Sequence, residues 1–343
     1  MHSQTFFDDR TLSVGGPTRP FVAACVQAAP VYFDTAKTLE KVRSLAADAA
    51  NKGAKVVLLP EAFVGGYPRG ASFGAVLGSR TAEGRDQFGM YHAAAIDIPG
   101  PVVDILGAVA RENSIHLVVG VIERDRGTLY CTVAFFDPTG AFLGKHRKLM
   151  PTAMERLVWG YGDGSTMPVF STDAGRIGAV ICWENYMPLM RTAMYGQGIQ
   201  LYCAPTADHR PIWVSSMQHI AAEGRCFVLS TNQFAKRGDY PVDYVSNLPD
   251  DPEAIVCRGG ACIVSPLGDL LAGPLWDREG ILTAEIDLRE IPKAQYDFDP
   301  VGHYSRPDVF KLSVNRTAAD PVHYDEDPKR TPSFPFKECS RTE

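Results

Sequence analysis

The chain of 343 residues lacks a long apolar run, an excess of basic charge and any grouping of cysteines or histidines. No apolar stretch approaches the ~18 residues that a membrane span needs. Residues 1–10 lack the basic segment and apolar stretch of a secretory signal. The net charge of -6 argues against a nucleic-acid or anionic-membrane partner, because both favour basic patches. We therefore expect a cytoplasmic protein with neither partner.

The 8 cysteines and 8 histidines are scattered along the chain. The cysteines form no CxxC pair and show none of the spacings of small secreted domains. A zinc site would need grouped ligands, so we predict no metal ion. Most of the cysteines lie in apolar runs, where a free cysteine behaves as a small hydrophobic residue. We predict that Cys25, Cys203 and Cys226 lie in the core.

What the sequence does contain is an alternation of apolar runs and amphipathic segments, which is typical of an α/β protein. The strands read as continuous apolar runs, which indicates burial on both faces. This pattern suits two sheets packed face to face with helices outside. We predict an N-terminal extension over residues 1–20 and one domain over 21–314. The tail over 315–343 is predicted to be disordered or to form an arm against a neighbouring subunit.

The strands are predicted at Phe21–Gln27, Val56–Leu59, Ile115–Val121, Leu129–Phe136, Ala141–Leu143, Arg176–Cys182, Ile199–Cys203, Phe227–Thr231, Gly259–Val264, Leu270–Ala272 and Ile281–Ile286. The helices are predicted at Thr35–Asn51, Pro101–Glu112, Pro188–Gln197 and Ile212–Ala222. The Asp- and Pro-rich stretch Arg237–Val256 is predicted to be a surface loop.

Three segments each supply one side chain that thiol-based hydrolysis of a carbon–nitrogen bond requires. Cys182 ends the apolar run 177–181 and precedes a break before a helix. A thiol acts as a nucleophile only as the thiolate, so it must leave the strand and meet a base or a positive charge. Backbone N–H groups at such a turn would stabilise a developing anion. Cys182 is therefore the candidate nucleophile, and a buried strand cysteine is the alternative.

An acid and an amine emerge in similar settings. Glu61 follows a buried strand, where burial raises and a nearby cation lowers the pKa of a carboxyl group, so it is a candidate general base. The basic run Lys145-His-Arg-Lys148 offers a cation for a tetrahedral intermediate. Spacing alone does not choose between Lys145 and Lys148. We expect the acid, amine and thiol to meet at one sheet edge. Glu155 is a possible second carboxylate that orients the lysine or relays a proton, with a structural ion pair as the alternative.

The motifs around these residues resemble those of the nitrilase superfamily of carbon–nitrogen hydrolases. They are Leu59-Pro-Glu-Ala-Phe-Val-Gly-Gly-Tyr-Pro-Arg-Gly70, Gly144-Lys-His-Arg-Lys-Leu-Met-Pro-Thr152, Glu155-Arg-Leu-Val-Trp-Gly-Tyr-Gly-Asp-Gly-Ser-Thr166 and Ile181-Cys-Trp-Glu-Asn185. The similarity runs from about Val22 to Leu312 and favours the nitrilase branch, near plant-type β-cyanoalanine nitrilases and their bacterial relatives. It implies a four-layer αββα sandwich in a single domain, dimerising through a helical face to αββα–αββα and often extended into spiral oligomers.

The resemblance also implies roles for individual residues. It selects Lys148 over Lys145, gives a Glu61–Lys148–Cys182 triad, and adds Glu155 as a fourth active-site residue. The residues expected to contact the substrate are Trp183, Tyr67, Tyr186 and His209. Trp183 after the nucleophile is the form seen in nitrile-cleaving members. Tyr186 and His209 depart from the plant pattern, which carries Arg and Ser at these places, and both departures weaken the inference that the plant substrate applies here.

The function expected from these residues is hydrolysis of an organic nitrile to a carboxylic acid and ammonia, through a thioimidate and a thioester on Cys182. Some amide is expected as a by-product, and no cofactor enters the scheme. Arylaliphatic, aliphatic and β-cyanoalanine nitriles all stay open as substrates. Two other functions remain possible: an amidase of the same fold acting on a small amide, and a non-catalytic assembly protein.

Overall fold

The computed structural model describes residues 19–319. The predicted N-terminal extension and C-terminal tail lie outside the described residues, apart from residues 19–20 and 315–319. The strands are β1 (Phe21–Gln27), β2 (Ala54–Leu58), β3 (Ile96–Asp97), β4 (His116–Asp125), β5 (Thr128–Phe136), β6 (Phe142–Arg147), β7 (Val169–Thr172), β8 (Gly175–Ala179), β9 (Leu201–Thr206), β10 (Phe227–Asn232), β11 (Phe234–Lys236), β12 (Ile255–Val264), β13 (Leu270–Trp276) and β14 (Gly280–Ile286). The helices are α1 (Thr35–Asn51), α2 (Ala82–Ala94), α3 (Pro101–Asn113), α4 (Pro188–Gly196), α5 (Pro211–Gly224) and α6 (Glu290–Ala294).

These strands form two mixed sheets. The first has the order β14-β1-β2-β4-β5-β6, with β3 paired to β4, and the second has the order β11-β12-β10-β9-β8-β7, with β13 paired to β12. Strands β1, β2 and β4 run parallel, as do β8, β9 and β10. The hairpins add antiparallel strands at the edges. Each sheet therefore has a parallel centre whose strands end on the same side.

The two sheets face each other across a shared apolar core, and helices cover both outer faces. Side chains of both sheets meet in the central core, for example Val133 and Leu201. Helices α1 and α3 pack on the outer face of the first sheet. Helices α4 and α5 cover the second sheet in the same way. The predicted four-layer αββα sandwich is confirmed, and burial of the central strands on both faces explains their continuous apolar runs.

Several elements were missed or shortened in the sequence-based prediction. Helix α2 was missed because its apolar residues do not repeat at helical spacing and because Gly84 and Gly89 interrupt it. Gly84 serves close packing, since a Cβ atom there would lie 2.1 Å from the carbonyl oxygen of Phe73. The short edge strands β7 and β11 were also missed. Strand β6 is longer than predicted and ends at Arg147, so Lys148 follows it directly.

The predicted surface loop 237–256 ends at residue 254, since Ile255 and Val256 begin β12, and it is not wholly on the surface. Tyr240 stacks on Tyr32 with 3.7 Å between ring centroids, and both rings are buried. The Tyr240 hydroxyl donates to the Tyr67 carbonyl at 3.1 Å, and the Tyr244 hydroxyl donates to the Arg69 carbonyl at 3.0 Å. The loop therefore supports the chain segment that lines the site described below.

Cys25, Cys203 and Cys226 are fully buried, which confirms their predicted place in the core. Among the helices within residues 19–319, none has the length and apolar character that crossing a membrane would require.

Candidate active site

Glu61 stands just beyond the carboxyl end of β2, on a turn that packs tightly against β4. A Cβ atom at Gly120 on β4 would lie 2.1 Å from the Pro60 carbonyl oxygen and 2.8 Å from the Glu61 Cα atom, so only glycine allows this approach. The Gln233 side chain donates to the Glu61 carbonyl at 3.0 Å. The Glu61 side chain is fully buried, and its Oε2 atom has no hydrogen-bond partner among the described residues.

Lys148 follows β6 and is buried with its ammonium group between two carboxylates. Its Nζ atom donates to Glu61 Oε1 at 2.7 Å and to Glu155 Oε2 at 2.8 Å. Side chains alternate between the two faces of a strand, so Lys145 and Arg147 point to the face opposite to that of Lys148. They pair with Glu123 and not with Glu61. Of the two lysines that the sequence left open, the structure brings Lys148 to the acid.

Glu155 is held in a 3₁₀ turn that begins beyond Thr152. The Thr152 backbone N–H donates to Glu155 Oε2 at 2.6 Å, and the Tyr67 hydroxyl donates to Glu155 Oε1 at 2.7 Å. Lys148 is therefore bonded to this second carboxylate in addition to that of Glu61. This placement allows Glu155 to orient the lysine.

Cys182 begins a 3₁₀ turn, Cys182–Tyr186, which is separated from β8 by two residues. Its φ of 51° lies in the left-handed region, which a residue with a side chain rarely adopts. Asn185 stabilises the turn, because its Nδ2 atom donates to the carbonyls of Val180 and Cys182, each at 2.8 Å. The Thr206 hydroxyl, at the end of β9, donates to Cys182 Sγ at 3.2 Å. The turn therefore takes the Cys182 side chain out of the line of β8 and holds the thiol in a buried position.

The three groups reach each other from two sheets, which corrects the expectation of a single sheet edge. Glu61 and Lys148 follow strands of the first sheet, whereas Cys182 follows a strand of the second. Because the sheets are stacked face to face, the side chains meet between the two layers. Sequence alone showed that each group follows a strand, but not which sheet each strand joins.

The charges in this pocket influence one another strongly. Burial raises the pKa of the Glu61 carboxyl, Lys148 opposes this shift, and Glu155 adds to it. Burial raises the pKa of the Cys182 thiol, and the negative charge of Glu61 raises it further. Burial disfavours the Lys148 cation, but Glu61, Cys182 and Glu155 outweigh burial and raise the Lys148 pKa. The resting site therefore holds a neutral thiol beside a lysine cation and two carboxyl groups.

Cys182 and Glu155 line a cavity of about 220 Å³. Three of the four residues expected to contact a substrate also line it, namely Tyr67, Trp183 and His209. Tyr186 is not among the lining residues, and its ring meets the Trp183 ring edge-on with 5.8 Å between centroids. The Trp183 indole N–H donates to Asp208 Oδ2 at 2.8 Å, which fixes the ring at the cavity wall.

Sequence reasoning missed several residues around the pocket. Thr206 ends an apolar parallel strand, and functional residues gather at the carboxyl ends of such strands, as Glu61 and Cys182 do. Its position was therefore visible in the sequence. Cys131 lies on β5 with its thiol 3.5 Å from Glu61 Oε1, and no local pattern marks it. Gly120 and Gln233 act through contacts between distant segments, which spacing does not reveal. Within residues 19–319, no three His, Cys, Asp or Glu side chains come together as metal ligands would.

Comparison with known proteins places this geometry in a family. The family model described as carbon–nitrogen hydrolase matches residues 22–296. The chain is 56% identical over 317 residues to a bifunctional nitrilase/nitrile hydratase of Nicotiana tabacum, covering 91% of each chain. It is 58% identical over 295 residues to an aliphatic nitrilase of Sinorhizobium fredii, covering 86% of this chain and 96% of the relative.

Solved structures agree on the fold. A carbon–nitrogen hydrolase from Helicobacter pylori superposes with a TM-score of 0.67 at 21% identity, over 84% of this chain and 97% of that one. An amidase from Nesterenkonia superposes with a TM-score of 0.60 at 22% identity, over 79% and 92% of the two chains. The extent of the family match and the high identity to the curated relatives lead to one conclusion: the chain belongs to the carbon–nitrogen hydrolase family, in its nitrilase branch.

Proposed function

We propose that this protein is a nitrilase that converts an organic nitrile to a carboxylic acid and ammonia, with Cys182 as nucleophile. One observation carries the proposal: a buried thiol in a left-handed turn shares a pocket with a lysine bonded to two carboxylates. Glu61 Oε1 accepts from Lys148, whereas Glu61 Oε2 has no hydrogen-bond partner within residues 19–319, so the second oxygen is available to take a proton. The names of the curated relatives support the same reaction.

The first half of the reaction forms a covalent intermediate. Glu61 takes the Cys182 proton as the sulfur–carbon bond forms and passes it to the nitrile nitrogen, which gives a thioimidate and returns Glu61 to its ionised form. A water molecule then loses a proton to Glu61 and adds to the same carbon. Lys148 and the backbone N–H groups of the cysteine turn stabilise this tetrahedral species. Glu155 keeps the lysine charged and in place.

The tetrahedral species then divides between two outcomes. When its nitrogen is protonated and leaves as ammonia, a thioester remains, and a second water molecule releases the carboxylic acid and the thiol. When the sulfur leaves instead, an amide is released. The acid route consumes two water molecules per nitrile and the amide route consumes one. We therefore expect both products, with acid as the main one. No cofactor takes part in either route.

The cavity supports small nitriles with an apolar or aromatic part. Tyr67 and Trp183 offer ring faces, and His209 and Arg69 offer polar groups on the same wall. Burial and the nearby Arg69 lower the pKa of His209, so this wall presents a neutral imidazole. We propose arylaliphatic, aliphatic and β-cyanoalanine nitriles as the substrate class.

We also propose the domain boundaries, assembly and location expected from the sequence. The catalytic domain spans 21–314, and the residues after it act as an arm against a neighbouring subunit. Two copies dimerise through a helical face, and dimers extend into spiral oligomers. We assign that face to α4 and α5, because they expose Leu189 and Ile212. Seven free, buried cysteines within the described residues support a reducing compartment such as the cytoplasm.

The test is product analysis with purified protein and two nitriles, β-cyano-L-alanine and phenylacetonitrile, quantifying ammonia, acid and amide. The control is Cys182→Ala, which removes the nucleophile from a partly strained position without adding volume. We expect the variant to keep its unfolding temperature and lose all turnover. Retained turnover would contradict the assignment of Cys182. Hydrolysis of the corresponding amides, with both nitriles untouched, would instead identify an amidase.

A further inference from the structure

A buried histidine and a buried glutamate join the chain segment of Lys148 to the segment of Cys182. His146 precedes the lysine by two residues on the same face of β6, and Glu184 follows the cysteine by two residues. The His146 Nε2 atom lies 3.0 Å from Glu184 Oε2, and neither side chain is exposed. Neither residue lines the cavity around Cys182.

The Glu184 carboxylate also binds the backbone on either side of this junction. Its Oε1 atom accepts the N–H of Leu149 at 2.5 Å, directly after Lys148. Its Oε2 atom accepts the N–H of Ile181 at 2.9 Å, directly before Cys182. One carboxylate therefore fixes the backbone beside both catalytic side chains, although these follow strands of different sheets.

The contacts of His146 show which protonation state the pair needs. The His146 Nδ1 atom lies 2.6 Å from the Thr166 carbonyl oxygen, which can only accept. Its Nε2 atom faces Glu184 Oε2, and both Glu184 oxygens already accept backbone N–H groups. A neutral histidine donates through one nitrogen only, whereas the imidazolium donates through both. The arrangement is satisfied when His146 carries two protons and Glu184 is ionised.

We propose that His146 and Glu184 are positioning residues for this enzyme: the ion pair holds the Lys148 segment and the Cys182 turn at the separation that the reaction needs. The pair touches no substrate and acts through the backbone at 149 and 181. Because Cys182 sits at φ 51°, its turn depends on such side-chain support. Loss of the pair displaces the thiol from the lysine.

Few other charged or titratable groups face this pair within the described residues. Tyr202 on β9 faces the Glu184 carboxylate, which contributes, after burial, to the raised pKa of that tyrosine. Lys148 lies on the same face of β6, but its ammonium is bonded to Glu61 and Glu155. Burial lowers and Glu184 raises the pKa of His146, and the net shift is upward. The pair is therefore intact below this raised pKa and is lost as pH rises through it.

Two substitutions at one position separate the contacts of His146. In His146→Gln the amide nitrogen replaces Nε2 and keeps a neutral hydrogen bond to Glu184. In His146→Asn the amide nitrogen replaces Nδ1 and keeps only the contact to Thr166. The matched control is His116→Asn, which breaks the contact of another buried histidine with a carboxylate, 2.5 Å from His116 Nε2 to Oδ1 of the exposed Asp173, away from the cavity.

Three quantities are measured for each variant: kcat and KM for phenylacetonitrile and β-cyano-L-alanine across pH, the rate of Cys182 alkylation by iodoacetamide, and the unfolding temperature. We expect His146→Asn to lower kcat and the alkylation rate by about 100-fold with little change in KM, as a misplacement of about 1 Å does. His146→Gln should recover most of this loss and lack the wild-type decline at alkaline pH. His116→Asn should change stability but not kcat.

Equal kcat for the Asn and Gln variants, a loss confined to KM, or a loss matched by His116→Asn would overturn the proposal. The turnover readout rests on the proposed function, whereas alkylation does not, so a failure of nitrile hydrolysis and a failure of the pair remain distinguishable. If neither His146 variant folds, the protonation state of His146 is measured in the wild-type protein instead. The measurement is the exchange rate of the imidazole C2 hydrogen, followed by mass spectrometry. A doubly protonated His146 above about pH 7, where an ordinary histidine is mostly neutral, supports the proposal, and a neutral one overturns it.

Discussion

At the scale of single residues, the thiol of Cys182 depends on one hydroxyl group. Burial and Glu61 raise the pKa of Cys182, while the hydrogen bond from Thr206 lowers it. Thr206→Val keeps the shape and removes the donor, so the pKa should rise further. A hydrogen bond of about 1 kcal/mol corresponds to several-fold to tenfold in rate. We expect both kcat/KM and the rate of iodoacetamide alkylation at neutral pH to fall by that factor.

The control for Thr206→Val is Ser230→Ala, which removes another buried hydroxyl. Ser230 Oγ accepts from the Trp213 indole at 2.9 Å and donates to the Ala204 carbonyl at 2.9 Å, away from the thiol. This variant should lose stability without slowing alkylation. An unchanged alkylation rate in Thr206→Val would show that the hydroxyl does not activate the sulfur.

Glu155 influences the ionisation of its neighbours as well as the position of Lys148. Its negative charge raises the pKa of both Glu61 and Cys182. In Glu155→Gln both pKa values should therefore fall. Because Glu61 must be ionised to accept the thiol proton, the acid limb of the kcat/KM profile should move to lower pH. Loss of the charge-assisted bond to Lys148 should lower kcat by roughly tenfold to a hundredfold.

The matched control is Glu123→Gln, another buried carboxylate that pairs with Lys145 and Arg147 on the opposite face of β6. This substitution should reduce the unfolding temperature and leave the acid limb in place. A shift of the limb to higher pH in Glu155→Gln would contradict the assigned electrostatic effect.

At the scale of elements, the packing of the Glu61 turn against β4 is the most demanding contact near the site. In Gly120→Ala the new Cβ atom would lie 2.1 Å from the Pro60 carbonyl oxygen, so either β4 or the turn that carries Glu61 must move. Overpacking of this kind costs about 1–3 kcal/mol of stability. A shift of Glu61 by about 1 Å should reduce kcat by about 100-fold. Thermal unfolding and kcat measure the two effects separately.

Gly127→Ala is the control for Gly120→Ala, because no atom of the described residues lies within 4 Å of a Cβ there. It sits in the turn between β4 and β5, in the same hairpin. We expect wild-type kcat and an unfolding free energy within about 1 kcal/mol of wild type. Wild-type activity in Gly120→Ala would show that the turn carrying Glu61 tolerates displacement.

Elements with a clear local pattern of apolar residues were predictable from the sequence, whereas contacts between elements distant in sequence were not. The αββα layers follow from continuous apolar strands and amphipathic helices such as α1. Glu61 and Cys182 were marked by their places after strands, whereas the choice of Lys148 over Lys145 needed the family resemblance. The register of β6 supplies the physical reason, since alternation places the two lysines on opposite faces. Helix α2 and buried Tyr240 were missed because tertiary packing, not local pattern, determines them.

At the scale of the whole molecule, the site depends on how the two sheets are stacked. Glu61 and Lys148 belong to one sheet and Cys182 to the other, so the reacting groups are aligned only when the central core is intact. Glu184 crosses the same junction through its contacts at 149 and 181. Changes in the relative position of the sheets should therefore affect kcat before they affect global unfolding.

The outer surface of the second sheet leads to the last prediction, which concerns assembly. Helices α4 and α5 lie side by side and expose Leu189 (68%) and Ile212 (57%). Burying such a side chain contributes about 1.5–3 kcal/mol, and a two-fold interface uses each one twice. The double variant Leu189→Glu with Ile212→Glu would bury four carboxylates in the proposed dimer, which is strongly unfavourable. We expect light scattering to show a particle of about half the wild-type mass or less.

The control is Ile105→Glu on α3, an exposed apolar residue (37%) in the opposite outer layer, which should keep the wild-type particle size. An unchanged particle in the double variant, with circular dichroism showing a folded chain, would place the dimer interface on another surface.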